Sequence, residues 1–312
     1  MKIILLGAVG FIGTNLVIEL AKDKDNQITV VDRNKARFKT IEDMQITNLS
    51  VIQLDLTIDT DYERLVAGQD LVYHLISTTV PTTSNQKIAE ELKGNVVLSA
   101  NLFEACVHQD VKKVVFLSSG GTVYGKESKC PLNENTPTNP ITSYGIQKIT
   151  IEKLLYLYNY MYGLDYRIIR LTNPYGPYQQ PNGVLGAVTT FTYKTLRGEE
   201  IQVYGDGSVV RDFIYIDDAV KGIQKIVNGN SHHHIFNLGC GYGTSIKQVL
   251  ETIGKVLDIR MYVKYMKARK VDVPINYLDI KRFETAYGNL NPVSLENGIK
   301  RTADFMKEYY HL

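Results

Sequence analysis

The sequence predicts an α/β protein, a doubly wound parallel sheet with a smaller C-terminal α/β domain. Three observations lead there. The chain opens on an apolar run, Lys2-Ile3-Ile4-Leu5-Leu6, that passes directly into Gly7-Ala8-Val9-Gly10-Phe11-Ile12-Gly13. Short apolar runs then alternate with longer helical stretches as far as Leu171. After Asn173-Pro174-Tyr175-Gly176-Pro177 that regularity falls away. Strand–helix alternation is the signature of a parallel sheet covered on both faces, with ligands gathered at the strand C-terminal ends.

The first element sets the rest. A short continuous apolar run reads as a buried parallel strand. The glycines after it follow a G-x-x-G-x-x-G spacing. Gly7 can take a turn that a Cβ would forbid, Gly10 lets a pyrophosphate approach the backbone, and Gly13 lets a helix over about Phe11–Lys22 pack on the strand. The open N–H groups and dipole at that helix start favour an anion. A basic residue before an apolar run also mimics a signal peptide, but the glycines interrupt the run. A second strand, Gln27-Ile28-Thr29-Val30-Val31, ends in Asp32, which lies 19 residues beyond Gly13. That is where a dinucleotide-binding Rossmann fold places the carboxylate for the adenosine ribose 2′-OH. Asp32 repels a 2′-phosphate and favours NAD over NADP, a preference that the adjacent Arg33 weakens slightly.

The chain continues with a strand over Leu49–Leu54 leading to Asp55-Leu56, and a short helix over Asp61–Leu65. Another strand covers Asp70–Leu75, followed by a Thr-rich stretch from Ile76 to Ser84. A helix over Gln86–Gln109 carries Asn95 near its middle. Lys113–Leu117 is the next strand, running into Ser118-Ser119-Gly120-Gly121-Thr122-Val123-Tyr124-Gly125. A Pro-rich stretch leads to a helix over Ser143–Tyr162 and a strand over Tyr166–Leu171. The following segment, from Tyr178 to Val210, is expected to hold one helix. Beyond it come Arg211–Tyr215, a helix over Ile216–Val227 and a strand over Ile235–Leu238. Two further helices and the segment Arg269–Asp279 are expected to close the chain.

Size and composition narrow the function classes. At 312 residues the chain suits a two-lobed enzyme with a large core. A net charge of +2 gives no reason to expect nucleic acid as a partner, and no apolar segment is long enough to span a membrane. Cys106, Cys130 and Cys240 are sparse and odd in number, which implies no disulfide framework and fits a reducing cytoplasm. No metal-ligand spacing occurs among them. His232-His233-His234 reads as a polar turn, since three adjacent histidines cannot all face one ion in an extended chain.

Tyr144 and Lys148 are four residues apart on a helix and project from one face. A phenol with a pKa near ~10 is a poor base at neutral pH. A nearby ammonium, together with the positive nicotinamide of NAD, is expected to bring that pKa down. A Ser or Thr hydroxyl can then hold a substrate oxygen while Tyr144 takes its proton.

Taken together, these motifs resemble the extended short-chain dehydrogenase/reductases, and within them the nucleotide-sugar epimerases similar to UDP-glucose 4-epimerase. The resemblance covers nearly the whole chain. It rests on Gly7-x-x-Gly10-Phe11-Ile12-Gly13, Asp55-Leu56, Asn95, Ser118-Ser119, Tyr144-x-x-x-Lys148, Arg170 with Asn173-Pro174, Arg211-Asp212-Phe213, and Arg269-x-x-Asp272. It implies that residues 1–172 with 211–246 form an NAD-binding domain, and 173–210 with 247–312 a nucleotide-sugar-binding domain.

On the cofactor side, the resemblance implies that the glycine loop with Phe11 and Ile12 holds the pyrophosphate and that Asp32 and Arg33 flank the adenosine ribose. Asp55 and Leu56 are expected at adenine, Leu75 and Ile76 beside the pyrophosphate, and Asn95 and Ser118 in support of the cofactor. Lys148 is expected on the nicotinamide ribose while assisting Tyr144. On the substrate side it implies Asn173 at the diphosphate, and Ala187, Val188 and Tyr204 at the uracil. Arg211 and Arg269 are expected to neutralise the diphosphate, and Asp272 to accept from the uridine ribose. Two guanidinium groups suit a diphosphate, which they grip in a fixed fork.

The chain departs from the family pattern in places. Many relatives have their catalytic hydroxyl where this chain has Gly120, so Ser119 is selected over Thr122 as that residue. Leu171-Thr172 replaces an aromatic pair. Where related 4,6-dehydratases carry an Asp-Glu pair, this chain has Gly121 and Thr122. Four residues past Asp272 lies Asn276, where a Tyr in relatives restricts the pocket to plain hexoses. The smaller Asn, with an amide that donates and accepts, is expected to admit a 2-acetamido group. The expected activity is therefore 4-epimerisation of a UDP-hexose, with UDP-N-acetylglucosamine and UDP-N-acetylgalactosamine interconverted and plain UDP-glucose and UDP-galactose tolerated. The resemblance also implies a homodimer through the helices near 86–109 and 143–162.

Overall fold

The computed structural model describes every residue except 80, 82, 127–128, 182–185 and 269–272. Two expected site residues, Arg269 and Asp272, lie outside the described residues. The chain runs through β1 (Lys2–Leu6), α1 (Phe11–Leu20), β2 (Gln27–Asp32), α2 (Lys35–Glu42), β3 (Leu49–Gln53), α3 (Tyr62–Val66) and β4 (Leu71–His74). It continues with α4 (Ile88–Leu92), a π-helical turn (Lys93–Val97), α5 (Leu98–His108), β5 (Lys113–Ser119), α6 (Ser143–Tyr162), β6 (Asp165–Leu171) and β7 (Asn173–Tyr175). Then come α7 (Ala187–Leu196), β8 (Ile201–Tyr204), β9 (Val210–Arg211), β10 (Phe213–Tyr215), α8 (Ile216–Asn228) and β11 (Ile235–Leu238). The last elements are β12 (Thr244–Ser245), α9 (Ile246–Leu257), β13 (Val263–Met266), β14 (Ile275–Asn276), α10 (Lys281–Tyr287) and α11 (Leu295–Tyr309).

The main sheet has seven strands in the order β11-β6-β5-β4-β1-β2-β3. The pairs β1–β2, β2–β3, β1–β4 and β4–β5 are all parallel. Strand order therefore reverses between β1 and β4, the switch point at which a doubly wound sheet opens a crevice for a ligand. Ile3 to Leu6 have no solvent exposure, which is why β1 reads as an unbroken apolar run. At the opposite extreme, β3 is an edge strand, and its Val51 and Ile52 are exposed.

The chain divides into two compact units. The first comprises Met1–Val123, Thr142–Ile169 and Asn230–Ile235. Its core includes Ile4, Leu6, Val72, Leu102, Phe116, Ile151 and Ile168. The second comprises Tyr124–Ile141, Arg170–Gly229 and Phe236–Leu312, with a core around Tyr175, Val188, Ile201, Phe213, Val249 and Ile299. Among the described residues, no helix is long and apolar enough to cross a membrane. The three cysteines are free.

Several elements were not expected from the sequence, among them α2, β8, β12 and β13, and two helical stretches differ from the expectation in other ways. The helix expected over 86–109 is α4, a π turn and α5. The break sits at Asn95, whose Nδ2 donates to the Glu91 carbonyl one turn back, in competition with the helical ladder. After β11 the described residues hold three helices rather than two. The extra one, α10, is short and has no side-chain N-cap, so it leaves little trace in sequence.

Candidate active site

The cofactor half belongs to the first unit. Gly7 has φ +80°, and a Cβ there would meet the Ile76 backbone at 3.1 Å. A Cβ on Gly13 would lie 2.2 Å from the Ala8 carbonyl oxygen, so only glycine lets α1 seat against the loop. Gly10 is different, because a Cβ there would meet nothing within 4 Å. This position is open toward a ligand, as the sequence spacing requires. α1 begins at Gly10 without a side-chain cap, leaving the backbone N–H groups of its first turn, at Phe11 and Ile12, for an anion. The Asp32 carboxylate accepts from the Val9 N–H at 3.2 Å and from the Asn34 N–H at 3.0 Å, which fixes it on the glycine loop. Leu75 continues the ladder by donating to the Leu6 carbonyl at 3.0 Å, bringing Leu75 and Ile76 beside the turn. Arg33 and Asp55 form an exposed pair at 3.9 Å, a separation at which screening leaves little energy. Leu56 packs partly against the core. The open glycine, the uncapped helix start and the anchored carboxylate fit a dinucleotide.

Beside this cradle, α6 starts from Thr142, whose hydroxyl accepts from the Gly145 N–H, and ends at Gly163 in the left-handed conformation. The helix carries Tyr144 and Lys148 on one face, as their spacing predicts. Tyr144 is hydrogen-bonded to Ser119 at the end of β5. The Lys148 Nζ donates to the Leu117 carbonyl at 2.8 Å. It lies 4.6 Å from the Phe116 ring centre and 5.5 Å from that of Tyr144. Thr122, the other candidate hydroxyl, has a buried Oγ1 with no partner among the described residues.

The expected depression of the Tyr144 pKa is not found in the protein by itself. Burial pushes it up to about 12, and the Ser119 hydrogen bond offsets this only in part. Lys148 moves the other way: burial brings its ammonium down to about 8, opposed by the charge of Glu152.

Asn95 ties the π turn to the loop after β4. Its Oδ1 accepts from the Thr78 N–H at 2.9 Å and its Nδ2 donates to Thr78 Oγ1 at 2.7 Å. Ser118 directs its hydroxyl to Glu152 at 2.5 Å, so its backbone is what it leaves for a ligand.

The substrate-side residues belong to the second unit. β14 pairs with β9 so that Asn276 lies opposite Arg211. Asn276 is buried, yet both its Oδ1 and Nδ2 lack a hydrogen-bond partner among the described residues. Arg211 donates through Nη1 to the carbonyls of Val210 and Val273 at 2.8 and 2.6 Å. Asn173 donates its amide to the Asp212 carbonyl at 2.9 Å. Val188 is wholly buried in the core, so what Ala187 and Val188 offer is the backbone of the first turn of α7. Tyr204 ends β8 with an exposed ring.

Sequence reasoning missed two carboxylates. Asp212 was seen only as part of a motif. Its buried side chain accepts from the N–H groups of Cys240, Gly241 and Leu278 at 2.8, 3.2 and 3.3 Å. Burial still raises its pKa to about 6. Glu152 was not singled out, although its position one turn beyond Lys148, on the same helix face, was an available signal.

A family model described as "NAD dependent epimerase/dehydratase family" matches residues 3–239. The UDP-glucose 4-epimerase of Mycolicibacterium smegmatis is 30% identical over 98% of this chain and 99% of its own length. The crystal structure of the Thermotoga maritima UDP-glucose 4-epimerase with UDP-glucose is similar at a TM-score of 0.90 and 31% identity, covering 99% of this chain and 100% of that one. The UDP-N-acetylglucosamine 4-epimerase of Methanobrevibacter ruminantium, solved with UDP-N-acetylmuramic acid, is similar at a TM-score of 0.91 and 29% identity, over 99% and 98% of the two chains.

Proposed function

Because the chain belongs to the NAD dependent epimerase/dehydratase family, we propose that it inverts C4 of a UDP-hexose, interconverting UDP-N-acetylglucosamine and UDP-N-acetylgalactosamine and also accepting the plain UDP-hexoses. NAD is its cofactor, and a nucleotide sugar its substrate. The observation that carries the reading is the Ser119–Tyr144 hydrogen bond beside Lys148, on the unit that also holds the glycine cradle.

The residues divide the work. Asp32 binds the adenosine ribose, and the first turn of α1 faces the pyrophosphate. The chemistry that NAD supplies when bound is reversible acceptance of a hydride at C4. Ser119 holds O4 while Tyr144 takes its proton, and Tyr144 returns the proton after the 4-keto sugar has turned over. Burial alone disfavours the Tyr144 phenolate, so positive charge close to the ring is needed to form it. Lys148 supplies part of that charge. In the second unit, Arg211 and Asn173 bind the diphosphate, and the α7 start with Tyr204 binds the uracil. Arg269 and Asp272 keep the roles that the family resemblance implies.

Asn276 carries the sugar preference. A buried amide without partners loses its hydration and gains nothing in return, a situation that a 2-acetamido group relieves by accepting from Nδ2 and donating to Oδ1. Gly121 and Thr122 offer no carboxylate for the elimination that a dehydratase performs. Ile146, Leu157 and Met161 leave an exposed apolar stripe on α6, and Val97 is exposed nearby in sequence to α5, which supports a homodimer through these helices. The three free thiols suit a cytoplasmic protein.

The test is a UDP-hexose deuterated at C4. An epimerase returns the label to C4 of the product. Loss of the label to solvent, or a 4-keto-6-deoxy or decarboxylated product, overturns the reading in favour of another enzyme on this scaffold. No turnover together with tight NAD binding points to a binding protein instead.

A further inference from the structure

Glu152 is a carboxylate that the mechanism above leaves without a task. It is only 2% exposed, on the same helix and one turn beyond Lys148, which is 6% exposed. Tyr144, Lys148 and Glu152 follow one another at intervals of four, so one face of α6 carries phenol, ammonium and carboxylate in order. A carboxylate seldom enters an interior without a partner and a reason. Its partner is Ser118, which donates a 2.5 Å hydrogen bond to Oε1. Ser118 directly follows Leu117, whose carbonyl receives the Lys148 Nζ, and directly precedes Ser119, which meets Tyr144. Three consecutive residues of β5 thus each hold one member of the helical series.

We propose that Glu152 is a positioning residue that keeps Lys148 protonated in its buried setting, with Ser118 fixing the carboxylate for that task. The inference rests on the reading of Tyr144 and Lys148 as the reacting pair. The surroundings of Lys148 make an anion necessary. From β5 it receives the Phe116 ring and the Leu117 carbonyl but no charge. From β4 it meets His74, which burial and Lys148 itself hold neutral down to about pH 3 and which is hydrogen-bonded to Ser99 at 2.7 Å. On α6 it has Tyr144, neutral at rest, and Glu152. From β6 the Tyr166 phenol feels the Glu152 charge, and burial, with the charges of Tyr156 and Glu152, keeps that phenol neutral. Glu152 is therefore the anion among these groups. Removing it leaves a desolvated ammonium beside a phenol that must ionise.

The test is the titration of Lys148 itself. In wild-type protein labelled with ¹³Cε-lysine, the Lys148 signal is identified by its absence in Lys148→Arg. In Glu152→Gln, which keeps the volume and an acceptor for Ser118, the Lys148 midpoint should fall by about one pH unit, the scale of losing an opposite charge nearby. The alkaline limb of the kcat/KM profile should fall with it. Glu152→Asp, which retains the charge, should restore most of the midpoint. A folded Glu152→Gln protein with an unchanged midpoint, or a uniform loss of rate with no displacement of the limb, overturns the proposal. Should Glu152→Gln fail to fold, ¹³C-carboxyl titration of the wild type decides: Glu152 must be ionised at pH 7, and a protonated carboxyl there refutes the role. The lysine titration needs no substrate. A failed C4 reaction with an intact Glu152–Lys148 coupling removes the proposed function alone, and the converse removes only this inference.

Discussion

The two units treat their polar side chains differently. In the first, the expected reacting groups already have protein partners: Ser119 on Tyr144, the Leu117 carbonyl on Lys148, Thr78 on Asn95, and the Val9 and Asn34 N–H groups on Asp32. In the second, Asn276 has none for either end of its amide among the described residues. The contrast has a physical logic. Chemistry demands groups held within a fraction of an ångström, and hydrogen bonds to rigid strand ends provide that. Selection among sugars needs polar groups that a wrong ligand leaves unsatisfied. The first unit holds its expected reacting groups ready, whereas in the second Asn276, unlike Arg211 and Asn173, has no partner among the described residues.

The largest expected effect tests the first half of that statement. Tyr144→Phe should lower turnover by about 100-fold or more while leaving the fold and NAD affinity unchanged, as measured by steady-state kinetics and calorimetry. Near-normal turnover would remove Tyr144 from the chemistry. The next sharpens the contrast from the other side. Arg211→Leu should raise KM for the nucleotide sugar by about 10- to 100-fold with a smaller change in kcat, the range for losing one charge-assisted hydrogen bond. A fall in kcat at constant KM would mean that the second unit takes part in the reaction step.

How much of this was legible in the sequence follows the same division. β1 and the strands that pair around it were readable because buried parallel strands are continuous apolar runs, and α6 because its length, cap and terminal glycine are all local features. The π turn was not, since the Asn95 side chain that competes with the ladder at Glu91 is also held by Thr78, 17 residues away. The two-residue strands β9 and β14 were not, because they exist only through pairing with each other and with β12. In the candidate site, the shared helix face of Tyr144 and Lys148 was readable from their spacing. Asp212 could not, because its partners stand at 240, 241 and 278 and no local pattern announces them. The Tyr144 pKa was expected low from its neighbouring ammonium together with the nicotinamide charge of bound NAD; in the protein by itself burial raises it.

A third prediction concerns the unpaired amide. Asn276→Tyr should reduce the ratio of acetamido to plain hexose turnover by about tenfold, the discrimination that one pocket contact affords. A ratio unchanged in that variant would show that Asn276 does not face the sugar.

The smallest effect is on stability. Lys148 titrates at about 8 in the fold, below its ordinary 10.5. Its burial therefore opposes folding fully below pH 8, the opposition fades as pH rises from 8 to 10.5, and above that it is gone. Lys148→Met combined with Glu152→Gln, which leaves no stranded carboxylate behind, should leave the protein inactive but no less stable at pH 7, with Tm raised by roughly 2–4 °C. Wild type and variant should converge above pH 10. A variant clearly less stable at pH 7 would mean that the lysine is kept for the fold rather than for the reaction.

The most direct test of the whole account is the product spectrum of the unmodified protein. It is incubated, without added cofactor, with UDP-glucose, UDP-galactose, UDP-N-acetylglucosamine and UDP-N-acetylgalactosamine in separate reactions, each followed by proton NMR. The account predicts that each sugar is converted to its C4 epimer, with the acetamido pair interconverted most efficiently. Conversion of the plain hexoses alone would contradict the role of Asn276, and the absence of C4 inversion with every sugar, even after NAD is supplied, would contradict the function itself.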